Sequence, residues 1–362
     1  MPAPTLDELR RYAVARSLFA PTTLTRAVAR LGFVQADPLR APARAQDLIL
    51  RPRVEGYRAG DLDRRSTRSP IEEDFLINYG YLHRKTQALM HPREPRRPWD
   101  EARQERAREV LAFVRDRGVV HPREVDARFA HGKIKSWFGG TSNASTELLD
   151  GMHYVGLLRV ARREGTTRLY AARERAHAPA RDGGATFDAL LDLVVRTYAP
   201  LPASTLMQLA RFLCGGVPQW RAHRAAAVQR ARARLASAEV EGAIWYWPAD
   251  ERVKASERDD VEERVWLLAP FDPVVWDRAR FERFWGWSYR FEAYTPAKDR
   301  LRGHYALPLL WRDRVIGWAN LAVTGGRLVP DVGFVGARPR SAAFRAALDD
   351  ELHRMRAFLG LG

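Results

Sequence analysis

The feature that most limits how this chain can fold is one unit that recurs three times: closely spaced amphipathic helices followed by a pair of short strands. The middle copy is the plainest. WDEARQERAREVLAFVRDRG (99–118) carries apolar residues at helical spacing, HPREVDARFA (121–130) is a second, shorter helix, and SNASTELLDGMHYVGLL (142–158) is a third with Ser142 or Asn143 as its cap. LLRVARREGTTRLYAA (157–172) then alternates as two strands around a Glu-Gly turn. Three helices and a two-stranded wing make a winged helix, a form of helix-turn-helix.

The third copy runs through ATFDALLDLVVRTYA, PASTLMQLARFL and PQWRAHRAAAVQRARARLA, and closes on VEGAIWYWPA. In the first copy, TLDELRRYAVARSLFA has Thr5 as a cap before Asp7 and Glu8, TTLTRAVARLG stops at Gly32, and an extended FVQADP follows. A charged connector, ADERVKASERDDVEER (249–264), leads into short aromatic-rich strands, RFEAYTPA, GHYALPLLW and DRVIGWANLAV, and a helix from about Ser341 to Leu359. The expected fold is therefore α+β: three tandem winged helix-turn-helix units over 1–95, 96–180 and 181–250, and a β-rich domain with a terminal helix over 251–362.

Composition narrows the partner. The formal net charge of +16 favours a polyanion, nucleic acid before an anionic membrane surface. Only five of the basic residues are Lys, so part of the Arg content reflects coding bias, which discounts the surplus without cancelling it. One cysteine, Cys214, excludes an internal disulfide and a Cys-based zinc site, and the nine His are scattered without a ligand pair. No phosphate-binding glycine motif points to a nucleotide, so no cofactor is expected. The absence of a long apolar run or signal-like start makes a cytoplasmic, nucleoid-associated protein the expectation, with no membrane partner.

The stretch LGFVQADPLRAPARAQDLILRPR (31–53) holds the candidate chemistry. A residue before proline is pushed towards extended backbone, so Asp37 before Pro38 continues the strand. Alternation then projects Gln35 and Asp37 from one face while Val34 and Ala36 turn into the core. A second reading of the same residues makes Asp37 the cap of a helix starting near Leu39 and Gln35 a partner for backbone. Arg40 and Arg44, four apart on that expected helix, share a face, and Arg51 and Arg53 follow its end. Together they form either a phosphate clamp or a solvated basic face, and their charge would favour an ionised Asp37.

Three blocks resemble the winged-helix DNA glycosylase family typified by YcaQ and AlkZ, which releases alkylated and crosslinked purines from DNA. LGFVQADP with RAPARAQDLIL is similar to its Gln-apolar-Asp or Gln-apolar-Gln motif and the Arg-bearing helix behind it. KSWFGGTSNASTELLDGMHYVGLLRVARREGTTRLYAA resembles its central winged helix, and LLAPFDPVVWDRARFERFWGWSYRFEAYTPAKDRLRGHYALPLL its C-terminal block. The resemblance implies a metal-free, monofunctional glycosylase acting as a monomer on double-stranded DNA with alkylated or crosslinked purines, Gln35 and Asp37 being catalytic. It differs from the family pattern at Ala36, at Pro38, at Gln46-Asp47 where a His pair is usual, in EEDFLINYGYLH (72–83), and at Gly317-Trp318-Ala319-Asn320. The alternative is a DNA-binding regulator or damage-binding factor that keeps the fold without turnover.

Other DNA-binding candidates are Gln46, which either reads the lesion or sits exposed, and Lys133, Lys135, Ser142 and Asn143 before the third helix of the middle unit. Arg162 and Arg163 in its wing complete the set. The aromatic run FERFWGWSYRF (281–291) is either a wedge for DNA or a core.

Overall fold

The computed structural model describes residues 3–130, 132–135, 141–174, 182–253 and 262–361. Helix α1 (Leu6–Ser17) starts with a capping box: the Thr5 hydroxyl accepts from the Glu8 N–H, and the Thr5 N–H donates back to Glu8 at 2.7 Å. The first unit comprises α2 (Leu24–Leu31), β1 (Phe33–Gln35), α3 (Ala45–Leu50), α4 (Asp61–Ser66), β2 (Ile71–Phe75), β3 (Tyr79–His83) and α5 (Arg84–Met90). The second comprises α6 (Glu101–Arg117), β4 (Val119–Val120), α7 (Pro122–Phe129), β5 (Lys133–Lys135), β6 (Thr141–Asn143), α8 (Ala144–Tyr154), β7 (Leu158–Glu164) and β8 (Thr167–Ala172). The third comprises α9 (Gly183–Tyr198), β9 (Leu201–Pro202), α10 (Ala203–Gly216), α11 (Arg224–Arg234), β10 (Ala236–Val240) and β11 (Ala243–Trp247).

Each unit contains the order helix, strand, helix, helix, strand, strand. In each sheet the last strand lies in the middle, giving β1-β3-β2, β4-β8-β7 and β9-β11-β10. The hairpins are antiparallel, so short turns suffice to build them. The C-terminal region adds β12 (Val265–Leu267), α12 (Arg278–Trp285), β13 (Leu307–Trp311), β14 (Arg314–Thr324), β15 (Arg327–Phe334) and α13 (Ala342–Leu359), its strands forming one antiparallel sheet in chain order. The chain is thus a mixed α and β structure.

Three local expectations change. RFEAYTPA is a loop, because Glu292 folds it back on itself instead of pairing it in the sheet. No helix starts at Leu39: residues 36–44 are irregular, and α3 starts only at Ala45, with Arg44 as its N-cap. Helix α8 starts after Asn143, whose side chain makes no cap bond and donates instead to Asp126. The charged connector falls partly on 254–261, outside the described residues.

The units are not packed independently. Val34, Leu48, Ile49 and Tyr81 of the first unit share a core with Leu267, Leu307 and Phe344 of the C-terminal region. Phe33, next to Val34, enters a different core with Phe187, Leu190 and Leu206 of the third unit. Strand β1 is therefore held from both faces, each buried large apolar side chain contributing about 1.5–3 kcal/mol. Gln35, the last residue of β1, is consequently delivered to a junction of three regions.

Candidate active site

Gln35 pairs with Gly80 of β3, and a Cβ at Gly80 would collide with the Val34 carbonyl and the Phe33 ring. Glycine there lets β1 and β3 approach closely at the strand end that carries the motif. Ladder pairing continues one residue beyond the strand, where the Ala36 N–H donates to the Tyr79 carbonyl at 3.0 Å. The expected alternation holds: Val34 and Ala36 both pack on the core shared with the C-terminal region.

Gln35 is buried, and the Trp276 indole N–H donates to its Oε1 at 3.2 Å. An indole can only donate, so this bond settles which end of the amide is oxygen. The Gln35 NH2 group is left with no protein acceptor among the described residues. Trp276 is itself immobilised, with its ring 4.5 Å from that of Tyr198 and edge-on to Phe212 at 6.3 Å. The segment carrying it is tied down at several points. Asp272 pairs with Arg53, and Asp277 accepts from the Arg280 N–H at 3.0 Å and from the Thr205 hydroxyl at 2.5 Å. Arg280 donates to the carbonyls of Tyr198 and Pro273.

Asp37 is 9% exposed. Its Oδ1 accepts from the Leu39 N–H at 2.8 Å, which is a local turn and not a helix cap. Its own N–H donates to Gln46 Oε1 at 3.2 Å, so Gln46 fixes the backbone from behind. Among the described residues, no guanidinium bonds the carboxylate. Burial pushes its pKa above the usual carboxylate range and the Leu39 N–H opposes that only in part. The expectation that neighbouring arginines would favour ionisation is revised, because Arg44, Arg51 and Arg53 are bonded elsewhere and Arg40 makes no bond to the carboxylate. Next to this site, the buried Tyr305 hydroxyl has no hydrogen-bond partner among the described residues. Burial first, and then the charge of Asp37, hold that phenol in its protonated form.

The expected row of phosphate-facing arginines separates. Arg53 is 0% exposed and spends its donors on Asp272 at 2.7 and 3.0 Å and on the carbonyls of Ser17 and Ile49. Arg51 is buried against Glu351, and Arg44 joins Asp63 at 2.7 Å and the Gly165 carbonyl at 2.9 Å. A buried guanidinium already held by a carboxylate offers little to a phosphate, so these three act as internal ties. Arg40 is exposed with no partner among the described residues and keeps its candidacy.

Gln46 is buried, which excludes an exposed role. Lys133 is exposed on the β5–β6 ribbon, while the side chains of Lys135 and Ser142 lie outside the described residues. Arg162 is exposed and paired with Glu164 at 3.2 Å. Arg163 forks onto Glu73 at 2.7 and 2.6 Å, tying the β7–β8 hairpin of the second unit to β2. The aromatic run 281–291 is core: Phe281, Phe284, Trp287 and Tyr289 are buried. Sequence reasoning missed Trp276 and Tyr305. The signal for Trp276 was available in PFDPVVWD, where two carboxylates in an apolar segment call for buried partners; nothing marks Tyr305.

Three repeats of one unit, a C-terminal sheet, and a buried amide–carboxylate pair at their junction can be set beside known proteins. The class is that of the DNA glycosylases, because residues 28–358 match the family model described as DNA glycosylase AlkZ-like. The chain therefore belongs to the AlkZ-like DNA glycosylase family, whose members are DNA-repair enzymes. The solved structure of the Streptomyces sahachiroi DNA glycosylase AlkZ superposes with a TM-score of 0.62, over 99% of this chain and 98% of that one. At 14% identity, that likeness speaks for the fold.

Proposed function

We propose that this chain is a monofunctional, metal-free glycosylase that hydrolyses the N-glycosidic bond of N7- or N3-alkylated purines in duplex DNA, crosslinked purines included. In this reading it works as a monomer at the nucleoid in the cytoplasm. The three repeated units are winged helices over 1–95, 96–180 and 181–250, followed by a β-rich domain over 251–362. The observation that carries the chemistry is Asp37: among the described residues, a nearly buried carboxylate with one backbone donor and no bonded cation, beside an amide whose NH2 is unused.

An alkylated purine already bears positive charge and leaves without a strong general acid. The tasks that remain are to stabilise an oxocarbenium-like sugar and to activate water, and an ionised carboxylate serves both. Burial raises the basicity of Asp37 and strengthens its field at the sugar. The Gln35 NH2 donates to the incoming water or to a sugar oxygen, while Trp276 prevents the amide from turning. Arg40, Lys133 and Arg162 are left to contact phosphates.

The test is release of a methylated purine from a defined duplex, read as abasic sites. Asp37→Asn and Gln35→Ala should strongly reduce it while DNA affinity and folding persist. Arg40→Ala should weaken binding about equally on all sequences and lower the salt slope by about one. Undiminished release by the Gln35 and Asp37 double variant would overturn the assigned site. Release of no base from any alkylated or crosslinked duplex would leave a DNA-binding factor in its place.

A further inference from the structure

The loop at 292–303, between α12 and β13, presents two large apolar side chains to solvent: Tyr294 and Leu301, each 77% exposed. Scattered surface apolar residues need no explanation. These two differ because they are the most exposed large apolar residues described and because their loop is firmly held. Buried Glu292 accepts from the Leu301 N–H at 3.2 Å and from the Arg302 N–H at 2.8 Å, closing the loop on itself. Arg300 Nε donates to the Thr295 carbonyl at 2.8 Å across the interior. Asn320 of β14 donates to the Arg302 carbonyl at 2.6 Å, and the next residue is Gly303 at φ 110°, where a Cβ would strike Asn320. The Arg302 guanidinium lies over Trp287 and Trp318 at 4.8 and 5.5 Å. The departure at Gly317–Asn320 thus has a local purpose, which is to clamp the end of this loop.

The loop also adjoins the candidate active site. The Phe291 ring meets Tyr294 edge-on at 6.0 Å and Tyr305 edge-on at 5.2 Å. Phe291 packs on the same core as Ala36 and Leu39, which lie on either side of Asp37 in the chain. Exposed Lys298 lies within the loop. A pre-shaped loop that carries Lys298, Arg300 and Arg302 against Glu292 and Asp299, and exposes an aromatic and an aliphatic side chain, suits a partner that combines phosphates with apolar faces that can part. Stacked bases in a duplex are such a partner.

We propose that Tyr294 and Leu301 form a wedge that enters the base stack next to the nucleotide held at Asp37, opening the duplex there without requiring the base to swing out. The inference rests on the DNA-directed reading above but not on base release. Because the loop is already ordered, insertion costs little conformational entropy, and the energy goes into parting the stack.

The experiment uses the full-length protein and an undamaged duplex carrying a single 2-aminopurine, whose fluorescence rises on unstacking. Wild-type protein should raise the signal several-fold at saturation. Tyr294→Ala with Leu301→Ala should bind with a similar salt slope yet lose most of that rise, whereas Tyr294→Phe with Leu301→Met should retain it. The thermal midpoint of each variant should match wild type, since both side chains lie in solvent. Binding without a rise, or an undiminished rise in the double Ala variant, would overturn the wedge and leave the glycosylase reading standing. Failure to bind duplex at all would overturn both. Loss of sedimentation with anionic-lipid vesicles in the double variant, with DNA unstacking intact, would assign the loop to a membrane surface instead.

Discussion

Three aspartates are buried in the first unit, Asp37, Asp47 and Asp74, and the first and last of them have opposite surroundings. Asp74 in β2 is wholly buried and saturated: it accepts from Gln87 Nε2 at 2.8 Å and Arg93 at 3.1 Å, and bonds His91 Nε2 at 2.7 Å. Arg93 in turn reaches the carbonyls of Phe75, Tyr154 and Gly216, so this cluster joins all three units. Burial alone would raise the Asp74 pKa, but Arg93 and His91 overcome it and hold the carboxyl well below the usual range. Asp37 is less deeply buried but has almost none of that compensation, so its pKa moves the other way. Asp47, its pKa also raised by burial, is held by the Tyr57 hydroxyl and the Gly60 N–H. Asp37, with a single backbone donor, costs stability, and the catalytic role proposed above gives a reason for its retention.

The comparison is broken most decisively by removing each charge in turn. Asp37→Asn keeps the shape and the Oδ1 acceptor for Leu39, and it should lower single-turnover base release by about 10²–10⁴-fold with the fold intact. Asp74→Ala should do the reverse, leaving buried Arg93 uncompensated and lowering unfolding free energy by about 3–5 kcal/mol in chemical denaturation. If the two substitutions exchanged phenotypes, the division between a cohesive and a reactive aspartate would be lost.

Much of this fold could be read from the sequence, and the reasons are local. Helical periodicity, the Thr5 cap and the Gly32 stop are set by neighbours a few residues away, and they appear where the pattern puts them. The alternation at Val34 and Ala36 survives because the strand period admits only two faces. What failed was any inference about where an arginine points. The partners of Arg51 and Arg53, Glu351 and Asp272, stand 300 and 219 residues away in the chain, and nothing around the arginines signals them. The contact that orients Gln35 comes from Trp276, 241 residues further on. The motif was legible; the shell that holds it was not.

A smaller effect sharpens the role of that shell. Gln46→Ala removes the acceptor of the Asp37 N–H and leaves that donor without its partner inside the protein. Loss of one such bond costs about 1–3 kcal/mol, felt partly as stability and partly as misplacement of the carboxylate. Base release should fall roughly tenfold with little change in DNA affinity, whereas Gln46→Glu, which keeps the acceptor, should recover part of it. Equal loss in both variants would mean that Gln46 acts on the substrate rather than through Asp37.

The smallest expected effect is the one that most directly separates the two aspartates, because it is a gain. The pKa of Asp37 is raised in the folded state, so ionising it opposes folding at every pH above that raised value. Asp37→Asn should therefore raise the thermal midpoint slightly at pH 7. The gain should shrink as pH falls towards the unfolded-state Asp value of about 3.9, where wild-type Asp37 is itself neutral. Asp74 has the opposite sign: its contribution is present in full above that same value and is lost as pH falls through its depressed folded pKa. Midpoints measured between pH 4 and pH 8 should thus show the Asp37→Asn advantage growing with pH, while Asp74→Asn stays below wild type throughout. A constant offset for Asp37→Asn would show that the amide acts by packing and that the charge at this position carries no cost to the fold.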